Sequence, residues 1–207
     1  MGRLLSSGSF LLQTGYIQAY FLHWTLMIGA MMLPMLGPAA RYVRVRSYRR
    51  RGARSQALLV AGFWGAWVAL GACSLPLIIA RSTAAGTEWM SGAVCMLAAA
   101  WQLSDRRTAA VRRCHVAPSL RPDGAGADLD CLAYGVRQAI TCSRSCLPAM
   151  FAMSLSPLGH LAALPMTWLL LRERDPRHPP ERWLAALLLM LASASMIAAT
   201  DLIPAVR

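Results

Sequence analysis

Long apolar runs alternate with short arginine-rich runs along the whole chain, and the apolar runs have the length of membrane spans. A span needs about 20 predominantly apolar residues. The pattern predicts an all-α, polytopic transmembrane helical bundle with about six spans, at residues 16–40, 57–80, 88–104, 131–153, 157–171 and 183–202. One such bundle accounts for residues 1–207 as a single integral membrane domain.

The middle spans are less regular than the first two and the last. The run 88–104 is short for a span, and the run 131–153 contains Arg137, Gln138 and Arg144. An arginine at the centre of a membrane costs roughly 2.5–3.5 kcal/mol on insertion scales. We therefore expect this helix to find polar partners inside the bundle, and a five-span or re-entrant arrangement stays open.

Proline interrupts four of the predicted spans, at Pro34, Pro76, Pro148 and Pro165. A proline inside a helix lacks the N–H donor and frees the carbonyl group four residues earlier. Broken backbone at membrane depth is tolerated where it is buried in protein or lines a cavity. The four interruptions indicate either an irregular, water-accessible interior or the ordinary kinks that membrane helices carry.

The charges separate into two sides of the predicted bundle. Only 14% of the residues are charged, against about 25% in a soluble domain. Sixteen arginines lie in the segments 41–56, 105–130 and 172–182, and three lie at Arg3, Arg81 and Arg207. The positive-inside rule then predicts that the three segments are cytoplasmic and both termini outside, in a bacterial inner (cell) membrane. The net charge of +12 sits in these loops and forms no soluble basic domain, so we expect no nucleic-acid partner.

Two of the six cysteines have a spacing that suggests a metal site. Cys142 and Cys146 are four positions apart, which puts both thiols on one face of a helix. Thiolate and thioether sulfur select copper(I) and similar soft ions, so this pair could hold one ion. A disulfide framework is not expected, because several cysteines fall within spans or on the reducing side. The alternative is that both are small apolar residues, buried for packing alone.

Further ligands can be drawn from other predicted spans and from one loop. Met31 and Met32 precede Pro34, Cys114 lies in the loop 105–130, and His160 is an intramembrane histidine. Packing is the alternative for Met31 and Met32, since methionine fills irregular gaps in apolar cores, and also for His160. No hydrolase elbow, phosphate-binding glycine loop or zinc-protease helix is present, and acidic residues are scarce in the spans. We therefore do not expect an enzyme.

Several segments together resemble a known family. They are Trp24 with the run Ala-Met-Met-Leu-Pro at 30–34, the run Trp-Gln-Leu-Ser at 101–104, Cys114, Gly135 with Cys142, Cys146 and Met150, and the pair Glu173-Arg174. Over about residues 20–200 the chain resembles the bacterial family of predicted metal-binding integral membrane proteins, a domain of unknown function. The resemblance implies metal binding at Cys114, Cys142 and Cys146.

Two cysteines that the family pattern would contain are missing. Ala110 and Ser145 stand at their positions, and Arg144 and Leu147 replace a glycine and a tryptophan. Three of five expected cysteines therefore remain.

Three functional hypotheses follow. The leading one is a membrane-embedded component that binds or delivers a soft metal, here a copper ion, with the lipid bilayer and a metallochaperone or copper enzyme as partners. The second is a non-catalytic scaffold or accessory subunit that has lost its metal ligands, as the missing cysteines suggest. The third is a thiol redox protein that uses Cys142 and Cys146, which the strict geometry of disulfides disfavours.

Overall fold

The computed structural model describes the backbone of residues 2–83, 87–113, 117–155, 159–174 and 182–202. Within these ranges it describes the side chains of residues 15–79, 90–111, 113, 117–155, 163–173, 182–191, 193 and 194. The described residues form eight α-helices and contain no strand. The predicted all-α class is therefore confirmed.

The helices follow the chain in simple order. They are α1 (Gly2–Met27), α2 (Gly37–Arg46), α3 (Gly52–Thr83), α4 (Thr87–Leu103), α5 (Asp105–Arg113), α6 (Ala125–Leu155), α7 (Gly159–Arg174) and α8 (Arg182–Leu202). A π-helical turn (Ile28–Met32) and a 3₁₀ turn (Pro34–Leu36) join α1 to α2.

Within the described residues, each predicted span overlaps one or more helices, and several helices extend further than the apolar runs. The run 16–40 ends inside α2, which continues through three arginines to Arg46. The segment 105–130, expected to be a loop, contains α5 and the first turns of α6. Charged residues therefore end the apolar runs without ending the helices, because arginine is itself a good helix former.

The helices by themselves do not establish a six-span membrane arrangement. By length and composition, one helix among the described residues, Gly52–Ile79, can cross a membrane. A second candidate is the pair Gly15–Met32 and Pro34–Arg46, which is bent by 41°. The helical segments Met90–Leu103 and Arg182–Leu191 are apolar but shorter. Soluble core helices and signal sequences can have the same length and composition.

Glycines bring α3 and α6 into direct backbone contact. A Cβ atom added at Gly135 would lie 2.1 Å from the carbonyl oxygen of Leu59, and one at Gly62 would lie 2.2 Å from that of Leu132. Gly62 of α3 and Gly135 of α6 therefore lie where the two helices cross, and each packs against the backbone of the other helix. Small residues at such positions allow the close helix packing that is common in membrane bundles.

Trp24 and Tyr20 fix α1 against α3. The indole N–H of Trp24 donates to the carbonyl of Trp67 at 3.0 Å, and Trp24 is fully buried. Tyr20 donates to the carbonyl of Gly71 at 3.2 Å. Gly71 is required there, because an added Cβ would lie 2.5 Å from the Trp24 nitrogen. This contact sets the position of the irregular segment that follows α1.

A buried ion pair fixes α5 against α7. Arg107 and Glu173 form a bidentate ion pair, with 2.9 Å between Arg107 Nη1 and Glu173 Oε1. Their side chains are only 1% and 4% exposed. A bidentate guanidinium–carboxylate pair has the geometry that a desolvated ion pair needs.

Candidate metal centre

Three sulfur atoms from two parts of the chain meet in the interior. The Sγ atom of Cys142 lies 3.7 Å from Sγ of Cys146 and 3.8 Å from Sδ of Met32. Met32 is 0% exposed and each cysteine is 1% exposed. The cluster therefore contains two thiols and one thioether, and all three are shielded from solvent.

The cysteine pair is positioned by the ordinary geometry of α6. Residues four apart lie one above the other on a helix, so Cys142 and Cys146 share one face. That face is buried and includes Gly135, Gln138 and Ala149. The close approach at Gly135 holds this side of α6 against α3.

The π-helical turn positions Met32. The N–H group of Leu33 donates to the carbonyl of Ile28 at 3.1 Å, five residues earlier, and this wide turn adds one residue to the helical repeat. Pro34 follows directly and starts a 3₁₀ turn. Single π turns inside helices occur frequently at functional sites. The proline also frees the carbonyl of Ala30, which the hydroxyl of Thr167 approaches at 3.5 Å.

Ser145 lies at the edge of the sulfur cluster. Its hydroxyl donates to the carbonyl of Cys142 at 2.8 Å, and its oxygen is 3.4 Å from Sγ of Cys146. The residue is 2% exposed. A cysteine at this position would bring a third thiol close to that of Cys146, and the serine supplies a hydroxyl there instead.

The other proposed ligands have different surroundings. Met31 is also fully buried, but its sulfur is not part of the contacts at 3.7–3.8 Å that join Cys142 to Cys146 and to Met32. Cys114 lies outside the described residues. His160 belongs to α7, but its side chain is outside the described part of the chain. Of the proposed set, the structure therefore brings together Cys142, Cys146 and Met32.

Cys95 and Cys73 do not join the cluster. The Cys95 thiol is buried and contacts the carbonyl of Ala152 at 3.8 Å, and Cys73 is exposed. Among the described residues, no three His, Cys, Asp or Glu side chains are grouped so that they could hold a metal ion. Among the described residues, the third sulfur ligand available to such a site is the Met32 thioether. Such a donor set suits copper(I) and excludes ions that require oxygen ligands.

The comparison with protein families decides which family the chain belongs to. Residues 21–198 match the family model PpoB2, described as copper chaperone. The chain belongs to this copper chaperone family. The match includes every residue of the sulfur cluster. No curated protein and no solved structure matches the chain.

Membership of the copper chaperone family supports the copper-related function that the sequence predicts. It supports copper binding or delivery, it is consistent with a copper ion as ligand, and it suggests copper enzymes or transporters as partners. The resemblance to a metal-related family is confirmed to this extent. The integral membrane character and the individual ligands stay predictions.

Sequence reasoning missed two contacts in this copper chaperone family member. In the sequence, Arg107 is one of the loop arginines that predict the topology, whereas in the structure it forms the buried pair with Glu173. Glu173 is one of the residues that carry the family resemblance, and its carboxylate at the end of an apolar run is the one sign of this ion pair in the sequence. Nothing in the sequence predicts that the hydroxyl of Thr167 approaches the freed carbonyl of Ala30.

Proposed function

We propose that the protein is a membrane-embedded copper(I)-binding and delivery component, with Cys142, Cys146 and Met32 as the ligands. The observation that carries the proposal is the convergence of these three buried sulfur atoms within 3.7–3.8 Å. Because this cluster lies within a chain of the copper chaperone family, copper is the expected ion. The protein holds and passes on the ion and catalyses no reaction.

The ligand set favours binding followed by transfer. Cysteine binds metal as thiolate, so loading copper(I) releases protons and becomes stronger as pH rises. The Met32 thioether is neutral, and a partner's thiolate can replace it without removing a negative ligand from the ion. Transfer would then begin at Met32 and proceed through exchange of the two cysteines.

Access to the buried ion requires movement, and the segment after α1 is the element we expect to move. It combines a π turn with a 3₁₀ turn around Pro34, so it lacks the continuous hydrogen bonding of an α-helix. Short 3₁₀ stretches within a helical path often act as hinges. A displacement of this segment would carry Met32 away from Cys142 and open the site.

Membrane embedding rests on the apolar surface as well as on the charge pattern. Only 28% of the apolar window in α3 is buried within the protein. Large apolar side chains point outward on several other helices, with Leu97 71% and Leu164 72% exposed. Contiguous exposed apolar surface marks an interaction with a membrane or another protein. The proposed arrangement keeps six spans, with the segments 41–56, 105–130 and 172–182 in the cytoplasm and both termini outside.

The metal proposal is tested by the copper content of detergent-purified full-length protein under reducing conditions. We expect near-stoichiometric copper(I) in the wild type and none in a Cys142→Ser/Cys146→Ser variant. Cys73→Ser/Cys95→Ser is the matched control, because it removes two thiols outside the cluster, and it should bind like the wild type. Absence of copper from the wild type would overturn the proposal and favour the scaffold hypothesis.

The membrane proposal has an independent test. Alkaline carbonate should leave the protein in the membrane fraction, and its release into the supernatant would contradict embedding. A cysteine introduced in place of the exposed Arg49 should react with an impermeant maleimide only after cells are opened. Reaction in intact spheroplasts would reverse the proposed orientation.

A further inference from the structure

Three arginines surround one cavity between α4, α5 and α6. The cavity has a volume of about 440 Å³ and is lined by Arg106 and Arg113 from α5, Arg144 and Thr141 from α6, and Trp101 from α4, together with two alanines. No carboxylate of a described residue lines it. The side chains of all three arginines are exposed.

These three arginines differ from those that have a carboxylate partner. Arg51, Arg54, Arg107, Arg121 and Arg182 each form an ion pair with an aspartate or glutamate. Arg106, Arg113 and Arg144 form none with a residue in the described part of the chain. Like charges that face one cavity repel one another, and an anion between them removes that cost.

The fold itself directs the arginines of α5 into this cavity. Arg106 and Arg113 are seven residues apart, which places them on the same face of the helix two turns apart. Arg107, the next residue along, is held on a different side by its buried pair with Glu173. The pair fixes the rotation of α5 about its axis, so Arg106 and Arg113 both lie at the cavity that Arg144 lines.

We propose that this cavity is a binding site for a phosphate group. Guanidinium forks match phosphate oxygens bidentately, and a phosphate offers more oxygen acceptors than a carboxylate does for three such forks. The cavity, at about 440 Å³, is large enough for one phosphate-bearing group. The same chemistry is presented by free inorganic phosphate and by an anionic lipid headgroup. Both are therefore probes in the experiment.

The site is separate from the sulfur cluster although both use one turn of α6. Cys142, Ser145 and Cys146 are buried, whereas Arg144 is exposed on the outer side of that turn. Removal of the cavity arginines should therefore leave copper binding unchanged. The failure of one proposal is then distinguishable from the failure of the other.

The test uses full-length protein, purified in an uncharged detergent and stripped of lipid. One arm titrates inorganic phosphate by calorimetry. The other measures, by native mass spectrometry, how much phosphatidylglycerol the protein retains compared with phosphatidylcholine. We expect saturable binding in at least one arm. The arm that responds identifies the source of the phosphate group.

The decisive variant is Arg106→Gln/Arg113→Gln/Arg144→Gln, and its binding should be weaker by about tenfold or more because charge-assisted hydrogen bonds are lost. The matched control is Arg44→Gln/Arg49→Gln/Arg50→Gln, which removes three exposed arginines elsewhere and should bind like the wild type. A second variant, Ala109→Glu, keeps all three arginines but adds a carboxylate at the exposed lining residue Ala109, and it should also lose binding.

Three results would overturn the proposal. The first is no saturable binding in either arm, and the second is equal loss in both arginine variants, which would indicate unspecific surface charge. The third is tighter binding of an acidic peptide such as hexaglutamate than of either phosphate probe. That result would assign the cavity to a protein partner.

Discussion

Met32 and Cys142 are 110 positions apart in the sequence, yet their sulfur atoms lie 3.8 Å apart in the interior. The contact joins the irregular segment after α1 to the middle of α6. With Cys146 beside Cys142, it gives two thiols and one thioether in a dry environment. Copper(I) is the ion for which such a set is suited.

Replacement of Met32 by leucine should weaken copper binding and leave the fold intact. Leu and Met have similar volumes, so such a core exchange usually costs less than about 1.5 kcal/mol of stability. Loss of the thioether should lower copper(I) affinity by about tenfold or more. Competition with a copper(I) chelator measures the affinity. Met31→Leu is the matched control, since Met31 is equally buried and its sulfur is not the one that lies 3.8 Å from Cys142. Equal loss in both variants would show that packing, not ligation, was disturbed.

A cysteine at position 145 should strengthen the site. Ser145 Oγ is 3.4 Å from Sγ of Cys146, so Ser145→Cys would add a third thiol to the cluster at little steric cost. Copper(I) affinity should rise, in the same chelator competition. Ser143→Cys is the control, because Ser143 lies on the same helix but is less buried and donates to the carbonyl of Ile140 instead. No gain at position 145, or the same gain at both positions, would contradict the proposed location of the ion.

An alanine at Gly135 should separate α3 from α6. Its Cβ atom would lie 2.1 Å from the Leu59 carbonyl oxygen, and the backbone must shift to avoid it. Overpacking of this kind costs typically about 1–3 kcal/mol, measured as the free energy of unfolding in detergent. Gly65→Ala in α3 serves as the control, because no atom lies within 4 Å of its added Cβ. That variant should be neutral or slightly more stable, as alanine favours helix.

Removal of one charge of the Arg107–Glu173 pair should lower the free energy of unfolding more than removal of both charges. Glu173→Gln leaves a buried guanidinium without its counter-charge and should cost about 3–5 kcal/mol of unfolding free energy. Arg107→Met/Glu173→Leu removes both charges and should recover most of that loss. If the double variant were as unstable as the single one, burial of an unpaired charge would not be the cause.

Protonation of Asp123 should lower the stability of the protein slightly at acidic pH. The backbone N–H of Gly124 and the Arg51 guanidinium, in that order, hold the pKa of Asp123 below its usual value. The stabilisation is therefore complete above the ordinary pKa of about 3.9 and is lost as pH falls through the lower value of the folded state. Asp123→Asn should flatten the acid side of a plot of Tm against pH. An unchanged profile would show that this carboxylate adds nothing to stability.

Helix positions and the cysteine pair were predictable from local pattern. The runs 88–104 and 183–202 match α4 and α8 within one residue at each end, because the apolar runs there coincide with the helices. Cys142 and Cys146 share a face by helical periodicity alone. Their burial in one cluster confirms that geometry but leaves membrane placement a prediction.

Contacts that depend on irregular backbone or on distant helices were not predictable. Regular helix geometry does not choose between Met31 and Met32, because the π turn at 28–32 changes the register by one residue. The pairing of Arg107 with Glu173 joins α5 to α7, and an arginine in a charged loop segment carries no sign of such a partner. The cavity formed by Arg106, Arg113 and Arg144 likewise requires the packing of α5 on α6.

X-ray absorption at the copper edge, on copper(I)-loaded full-length protein, tests the central claim most directly. We expect a first shell made only of sulfur in the wild type and in Met31→Leu, with one sulfur fewer in Met32→Leu. The Cys142→Ser/Cys146→Ser variant should retain no copper to measure. A shell that contains nitrogen or oxygen, or one that is unchanged in Met32→Leu, would contradict a site built from Cys142, Cys146 and Met32.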